Sequence, residues 1–321
     1  MRSRCRKGVE RPHHSGFRCR RQTGDGGPDG NERARLHGDR RQDQVVLPAL
    51  PRRLQRGDGQ GDNLTGLYAE DSITRRVSRE NILLLGGGRA LLMQLAHPKV
   101  AAGVDDHSDF RAHPIRRLRR TVLVTMAIVF GERETALAAA RTVNQAHSRV
   151  RGDDYHALDP ALLLWVHATL VDSALVTYQT FVQPLTKSER EDFYQESKLL
   201  GELLGIPRDR FPESLRDFDH YLHQMITEGD VSVTPRAKTL ARLVVRPRLR
   251  LLPGPLMVPF EVVTAGLLPT ALREAYGMAW GRGQQRAFAL AVAAVPRIVA
   301  LTPPRLRVWP LPGKSVKLAA T

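Results

Sequence analysis

The chain reads as all-α: one compact multi-helix domain behind a basic, disordered N-terminal tail. Three observations predict this. From about Leu64 onward nearly every segment places apolar residues at helical spacing between recognisable caps. No convincing run of alternating apolar and polar residues occurs, and no internal repeat. Residues 1–62, by contrast, hold 15 Arg/Lys and 8 Asp/Glu, many glycines and almost no periodic apolar residues.

That first stretch cannot bury enough surface to offset its ordering entropy. It reads either as a solvated basic tail or as upstream DNA translated from a start codon placed too early. The domain is expected over 63–312, with a short tail at 313–321. "SRENILLLGGGRALLMQLAHP" opens it, with Ser78 as cap and Glu80 in the first turn. Its Gly86–Gly88 run costs about 1 kcal/mol per glycine in a helix, so it signals a break or a close approach by a bulky partner. "GGGR" lacks the lysine and hydroxyl of a phosphate loop.

"PIRRLRRTVLVTMAIVFG" predicts a helix ending at Gly131. "ERETALAAARTVNQAHSRVRG" predicts the next, closed by Gly152. "LDPALLLWVHATLVDSALVTYQTFVQPL" opens with Asp159 as cap and Pro160 in the first turn, and is apolar on nearly all sides. It should be the central buried helix. Thr186 with Glu189 forms a capping box for the following helix. "PESLRDFDHYLHQMI" and "TPRAKTLARLVV" complete the middle, and two apolar helices are expected near 258–274 and 283–301.

The 321 residues carry a formal charge of +16, and 42% are apolar. Of the 49 basic residues, 42 are Arg, a bias that reads as GC-rich coding rather than as a phosphate-binding device. The body from residue 63 carries about +9, with no aromatic-basic interleaving, so nucleic acid is not an expected partner. Cys5 and Cys19 both lie in the tail, which leaves the body without a disulfide framework or a cysteine zinc site. No apolar h-region follows the basic N-terminus, and no uninterrupted apolar run reaches the roughly 18 residues of a membrane span. A cytoplasmic protein is expected. The segments "LMVPFEVVTAGLLPTAL" and "RAFALAVAAVPRIVAL" suit core packing or a bilayer surface, so peripheral membrane contact stays open.

Candidate chemistry rests on histidines and arginines, since no nucleophile elbow, dinucleotide fingerprint or Glu-x-x-His pair is present. His147 stands at helical spacing from Val143, Val150 and Arg151. An imidazole on an apolar stripe must find a hydrogen bond or bind something, and spacing alone favours a satisfied core histidine. His167, in "LLLWVHATL", raises the same choice. His97 precedes Pro98 and could meet helix C-terminal carbonyls. In "RRLRRT", Arg117, Arg120 and Thr121 share a helix face, which the apolar run behind them turns inward, toward an anionic ligand.

Five segments in order, "RALLMQLAHPKVAAGVDDHSDF", "RLRRT", "VFG", "VNQAHSRVRG" and "YHALDPALLLWVHATL", resemble the helical oxygenase family of latex-clearing protein (a rubber oxygenase) and the mycophenolic-acid pathway oxygenase. The resemblance covers roughly residues 65–300. It implies haem b as cofactor, with His147 as proximal iron ligand and Arg151 one turn later. It implies Arg117 and Thr121 on the distal-side helix as cofactor-binding residues, with Arg117, Arg120 and Thr121 as the expected catalytic residues. The latex-clearing members carry a lysine where this chain has Arg120, and a guanidinium has no lone pair for a metal. Asp105 and Asp106 are candidates for a catalytic carboxylate by proximity only. The expected activity is a haem b-dependent oxygenase using dioxygen on a small apolar, isoprenoid- or lipid-like substrate. The alternatives are a non-haem metal enzyme using His97, His107, His147 or His167, and a haem- or lipid-binding protein without turnover.

Overall fold

The computed structural model describes residues 66–107, 114–247 and 257–309, all within the compact unit Val45–Thr321. The expected basic tail and the short C-terminal tail lie outside the described residues. Thirteen α-helices and no strand occur among those that are described, as the spacing predicts. They are α1 (Ile73–Ser78), α2 (Gly87–Leu95), α3 (Pro98–His107), α4 (Pro114–Phe130), α5 (Arg133–His147), α6 (Pro160–Phe181) and α7 (Lys187–Leu203). Then come α8 (Leu215–Thr227), α9 (Pro235–Val245), α10 (Val258–Leu267), α11 (Thr270–Ala275), α12 (Arg282–Leu301) and α13 (Pro304–Arg307).

Helix α6 is the axis of the bundle. It packs against α1, α2, α7, α12 and the 3-10 turn Asn81–Gly86. Trp165, Ala168 and Tyr178 on it join the main core with Leu92 and Met93 of α2 and Leu240 of α9. Its start follows the expectation: the Asp159 side chain accepts from the Ala161 N–H at 2.8 Å, and Pro160 occupies the first turn. In length and composition α6 could cross a membrane, which the sequence reading did not foresee. Yet 67% of its apolar window is buried inside the protein, the mark of a core helix.

Several expected boundaries move. Ser78 ends α1 rather than capping the next helix; the cap of α1 is Ser72, which accepts from the Arg75 N–H. Glu80 is not a first-turn charge on the surface. It is fully buried and paired with Arg307 at 2.8 Å. Helix α5 stops at His147, with Ser148 as its cap, and not at Gly152. The chain then makes a tight turn, with the Val150 N–H on the His147 carbonyl. The expected helix over 258–274 breaks into α10 and α11, because Pro269 cannot donate to a continuing ladder. The Thr186–Glu189 capping box forms as expected.

The triple glycine acts by close approach, of threonines at Gly86 and Gly88 and, at Gly88, also of the bulky Phe260 ring, which would lie 2.9 Å from an added Cβ. A Cβ on Gly86 would overlap Thr177 Oγ1 of α6, and one on Gly88 would overlap Thr264 Oγ1 of α10. Gly87 faces open space, with helical dihedrals of −61° and −38°. The two clashing glycines let α2 and the 3-10 turn sit directly on α6 and α10. Gly86→Ala and Gly88→Ala are therefore expected to lower stability by about 1–3 kcal/mol through overpacking. Gly87→Ala should raise it by about 0.5–1 kcal/mol by restricting the unfolded chain. Chemical denaturation of the three variants checks this, and equal effects at all three positions would contradict the packing account.

Candidate functional site

Helices α4 and α5 are joined by only Gly131 and Glu132, so they must run antiparallel. They pack through small residues, Ala127 of α4 against Ala139 and Ala140 of α5, with Leu203 of α7 closing the cluster. The hairpin sets the end of α5, which carries His147, level with the start of α4, which carries Arg117, Arg120 and Thr121. The sequence segments that were 26 residues or more apart are thus brought to one end of the hairpin.

His147 is half-buried, as is Val143 one turn before it. Its position is pinned by a residue that the sequence reading overlooked. Asn144 is buried and its Nδ2 donates to the Leu203 carbonyl at 2.9 Å. That carbonyl lies at the C-terminus of α7, where helix carbonyls lack intrahelical partners. The amide therefore ties the end of α5 to the end of α7. An uncharged polar residue in the stripe three positions before His147 was the available signal.

Two other expectations change. Arg151 does not continue the stripe of His147, since the helix has ended; it lies exposed in an isolated bridge with His156. Nor does the arginine face of α4 turn into the packed interior. Arg120 and Thr121 are exposed, because α5 takes the opposite side of α4, and among the described residues no buried acid pairs with Arg120. The side chain of Arg117 lies outside the described residues. Leu123, on the same helix, is left 43% exposed, and Leu170 of α6 is left 39% exposed.

Asp105 and Asp106 stand together at the end of α3, engaged with one another's neighbours rather than free. Arg236 of α9 reaches Asp105 at 3.6 Å and Asp106 at 3.4 Å. Tyr155 Oη donates to Asp106 at 3.0 Å. The His107 Nε2 lies 2.9 Å from the Arg151 carbonyl. This polar cluster fastens the turn after α5 to α3 and α9.

The remaining candidates separate. His97 is buried, and burial above all lowers its pKa. The Lys99 N–H donates to its Nδ1 at 3.3 Å, so it serves the start of α3 rather than the carbonyls of α2. His167 is 4% exposed and edge-on to Phe211 at 5.7 Å. Its Nε2 has no hydrogen-bond partner among the described residues. Burial pushes its pKa down to about 4. Among the described residues no three His, Cys, Asp or Glu side chains converge as a metal-binding group.

The His167 imidazole titrates near 4 when folded and near 6.5 when unfolded, so the unfolded chain binds the extra proton between these values. The stability contribution is intact above pH 6.5 and is lost as the pH falls toward 4, by about 3 kcal/mol in total. His167→Leu is expected to flatten this part of the stability–pH profile. Urea midpoints measured across that range check it, and parallel profiles for parent and variant would refute it.

The model of a family described as "ER-bound oxygenase mpaB/B'/Rubber oxygenase, catalytic domain" matches residues 74–297. An uncharacterized protein of Mycobacterium tuberculosis and one of Mycobacterium bovis are each 30% identical to the chain over 211 residues. Each alignment covers 62% of this chain and 81% of the relative. No solved structure matches. The matched region runs from α1 into α12 and so contains the hairpin, the central helix and His147. The chain belongs to the mpaB and rubber oxygenase catalytic-domain family, and it is an enzyme of that oxygenase class.

Proposed function

We propose that this protein is a haem b-dependent oxygenase that uses dioxygen on a small apolar, isoprenoid- or lipid-like substrate, with His147 as the proximal iron ligand. The observation that carries the reading is the α4–α5 hairpin. It holds one half-buried histidine on a pinned helix end, level with the cationic start of α4, within the matched oxygenase region.

The residues fit a haem in their chemistry. A haem brings its own equatorial ligands and needs only one or two from the protein, so a single imidazole suffices. A metal held by protein side chains alone would need several converging ligands, and the described residues offer no such group. The exposed Leu123 and Leu170 offer apolar surface, and the exposed Arg120 and Arg151 offer cations for carboxylate groups. When bound, haem supplies the dioxygen chemistry.

The chain's own residues do the rest. His147 offers its imidazole as ligand, and the Asn144–Leu203 bond restrains the helix end from which it projects. Arg117 and Arg151 would pair with the carboxylates of the cofactor. Thr121 and Arg120 supply hydrogen-bond donors on the α4 side. Arg120 stays protonated, so it can steady an anion but cannot coordinate iron. Apolar side chains exclude water from an apolar substrate.

Protein produced with haem supply should show a strong Soret band that is lost or shifted in His147→Ala, while helical content is retained. A folded but colourless parent would overturn the haem reading. A Soret band without oxygen uptake on any apolar substrate would point instead to a haem-binding protein that does not turn over.

A further inference from the structure

Helix α12 has two apolar sides, and the bundle uses only one. Phe288, Ala291 and Val295 pack inward with Val263 and Leu267 of α10 and Phe181 of α6. The neighbouring flank carries Ala287, Leu290, Ala294, Ile298 and Leu301 at steps of three, four, four and three residues. On a helix these positions form one continuous stripe. Leu290 is 70%, Ile298 61% and Leu301 85% exposed. Just beyond, α13 presents Leu306 at 70%. No other group of large apolar side chains among the described residues is exposed to this degree. Isolated exposed leucines need no explanation, but a contiguous row of them does.

The charge around the stripe is of one sign. Arg286 and Arg297 border it on the outer face, with Arg282 at the start of the helix and Arg305 at its far end. All four are exposed, and none forms an ion pair with a described residue. From Ala275 to Thr321 the chain holds seven Arg/Lys and no Asp or Glu.

The surface is also held in place. Arg307 binds the fully buried Glu80 through two contacts of 2.8 and 2.9 Å. The Asn81 side chain donates to the Leu306 carbonyl at 2.7 Å, and the Trp309 N–H donates to the Arg79 carbonyl at 2.9 Å. The C-terminal strap formed by α12 and α13 is therefore fastened at its far end to the α1 corner, which holds Leu306 in place.

We propose that this flank of α12, with Leu306 at its tip, is a docking surface for an anionic lipid membrane. An apolar row bordered by arginines without acids is the pattern of a helix lying at a bilayer interface, apolar side in the acyl boundary and cations at the headgroups. A second copy of the chain is disfavoured, since it would bring arginine borders of like charge together. A nucleic acid would answer the charge but not the exposed leucines. The inference stands independently of the haem assignment.

The test is flotation of the full chain with vesicles of phosphatidylcholine alone or with phosphatidylglycerol added. Binding is expected with the anionic vesicles and should weaken as salt is raised. Arg286→Gln with Arg297→Gln should lower partitioning about thirtyfold, roughly fivefold per arginine. Leu290→Glu with Ile298→Glu should abolish it while helical content and thermal unfolding stay unchanged, because both side chains lie outside the core. Flotation that is absent with every vesicle, or unaffected by both pairs of substitutions, would overturn the proposal. So would a dimer in solution that Leu290→Glu dissociates, or binding confined to nucleic acid.

Discussion

A single buried cation sets the relation of the three helices on which the bundle is built. Arg89 of α2 is 4% exposed, and its nitrogens are engaged with two other helices of the fold. Nη2 meets Asp172 of α6 at 2.5 Å, Nη1 donates to Ser173 Oγ at 2.8 Å, and Nε donates to the Leu267 carbonyl at the end of α10 at 2.8 Å. A guanidinium in the interior is tolerated only when its donors are satisfied in their fixed fork geometry. A shift of α2, α6 or α10 would strand a buried charge. The glycines just before it allow the same helices to approach closely, so Gly86, Gly88 and Arg89 act as one device. The glycine run that the sequence marks as a break or a close approach is a helix-crossing lock.

Around that lock the histidines take different roles because their surroundings differ. His97 and His167 are buried and held neutral by desolvation. His147 lies outside the main core, on a hairpin that packs through Ala127, Ala139 and Ala140 beside Ile128 and Leu203. Small residues there bring α4 and α5 close along one side and leave the arginines of α4 on the other. The site end of the hairpin is fastened twice: by Asn144 to the end of α7, and through the following turn, where Tyr155 binds Asp106. A side chain on such a doubly restrained end keeps its direction without being buried in the core.

The C-terminal strap shows the same economy of anchoring. Buried Glu80 receives Arg307 and closes the bundle at its α1 corner. Anchoring the strap from beneath leaves the outer flank of α12 free of intramolecular duties. An apolar row can then persist on the surface of a folded domain, although burial of such side chains is worth about 25 cal/mol per Å².

The sequence by itself determined the helical architecture, the central place of α6 and most helix starts, because periodicity and caps are local properties. Asp159 with Pro160 and Thr186 with Glu189 form as read. It also determined the family, through segments kept in order along the chain. Helix ends were less legible. His147 rather than Gly152 closes α5, and Ser78 ends a helix rather than starting one, since the stop depends on contacts made by residues far away. The tertiary structure alone decided where charges go. Arg151 and Arg120 stand on the surface, Glu80 and Arg89 in the interior, although nothing in their local sequence distinguishes them. Burial of a charge depends on whether a partner arrives from a distant segment, Arg307 for Glu80 and Asp172 for Arg89, and that is settled only when the helices meet.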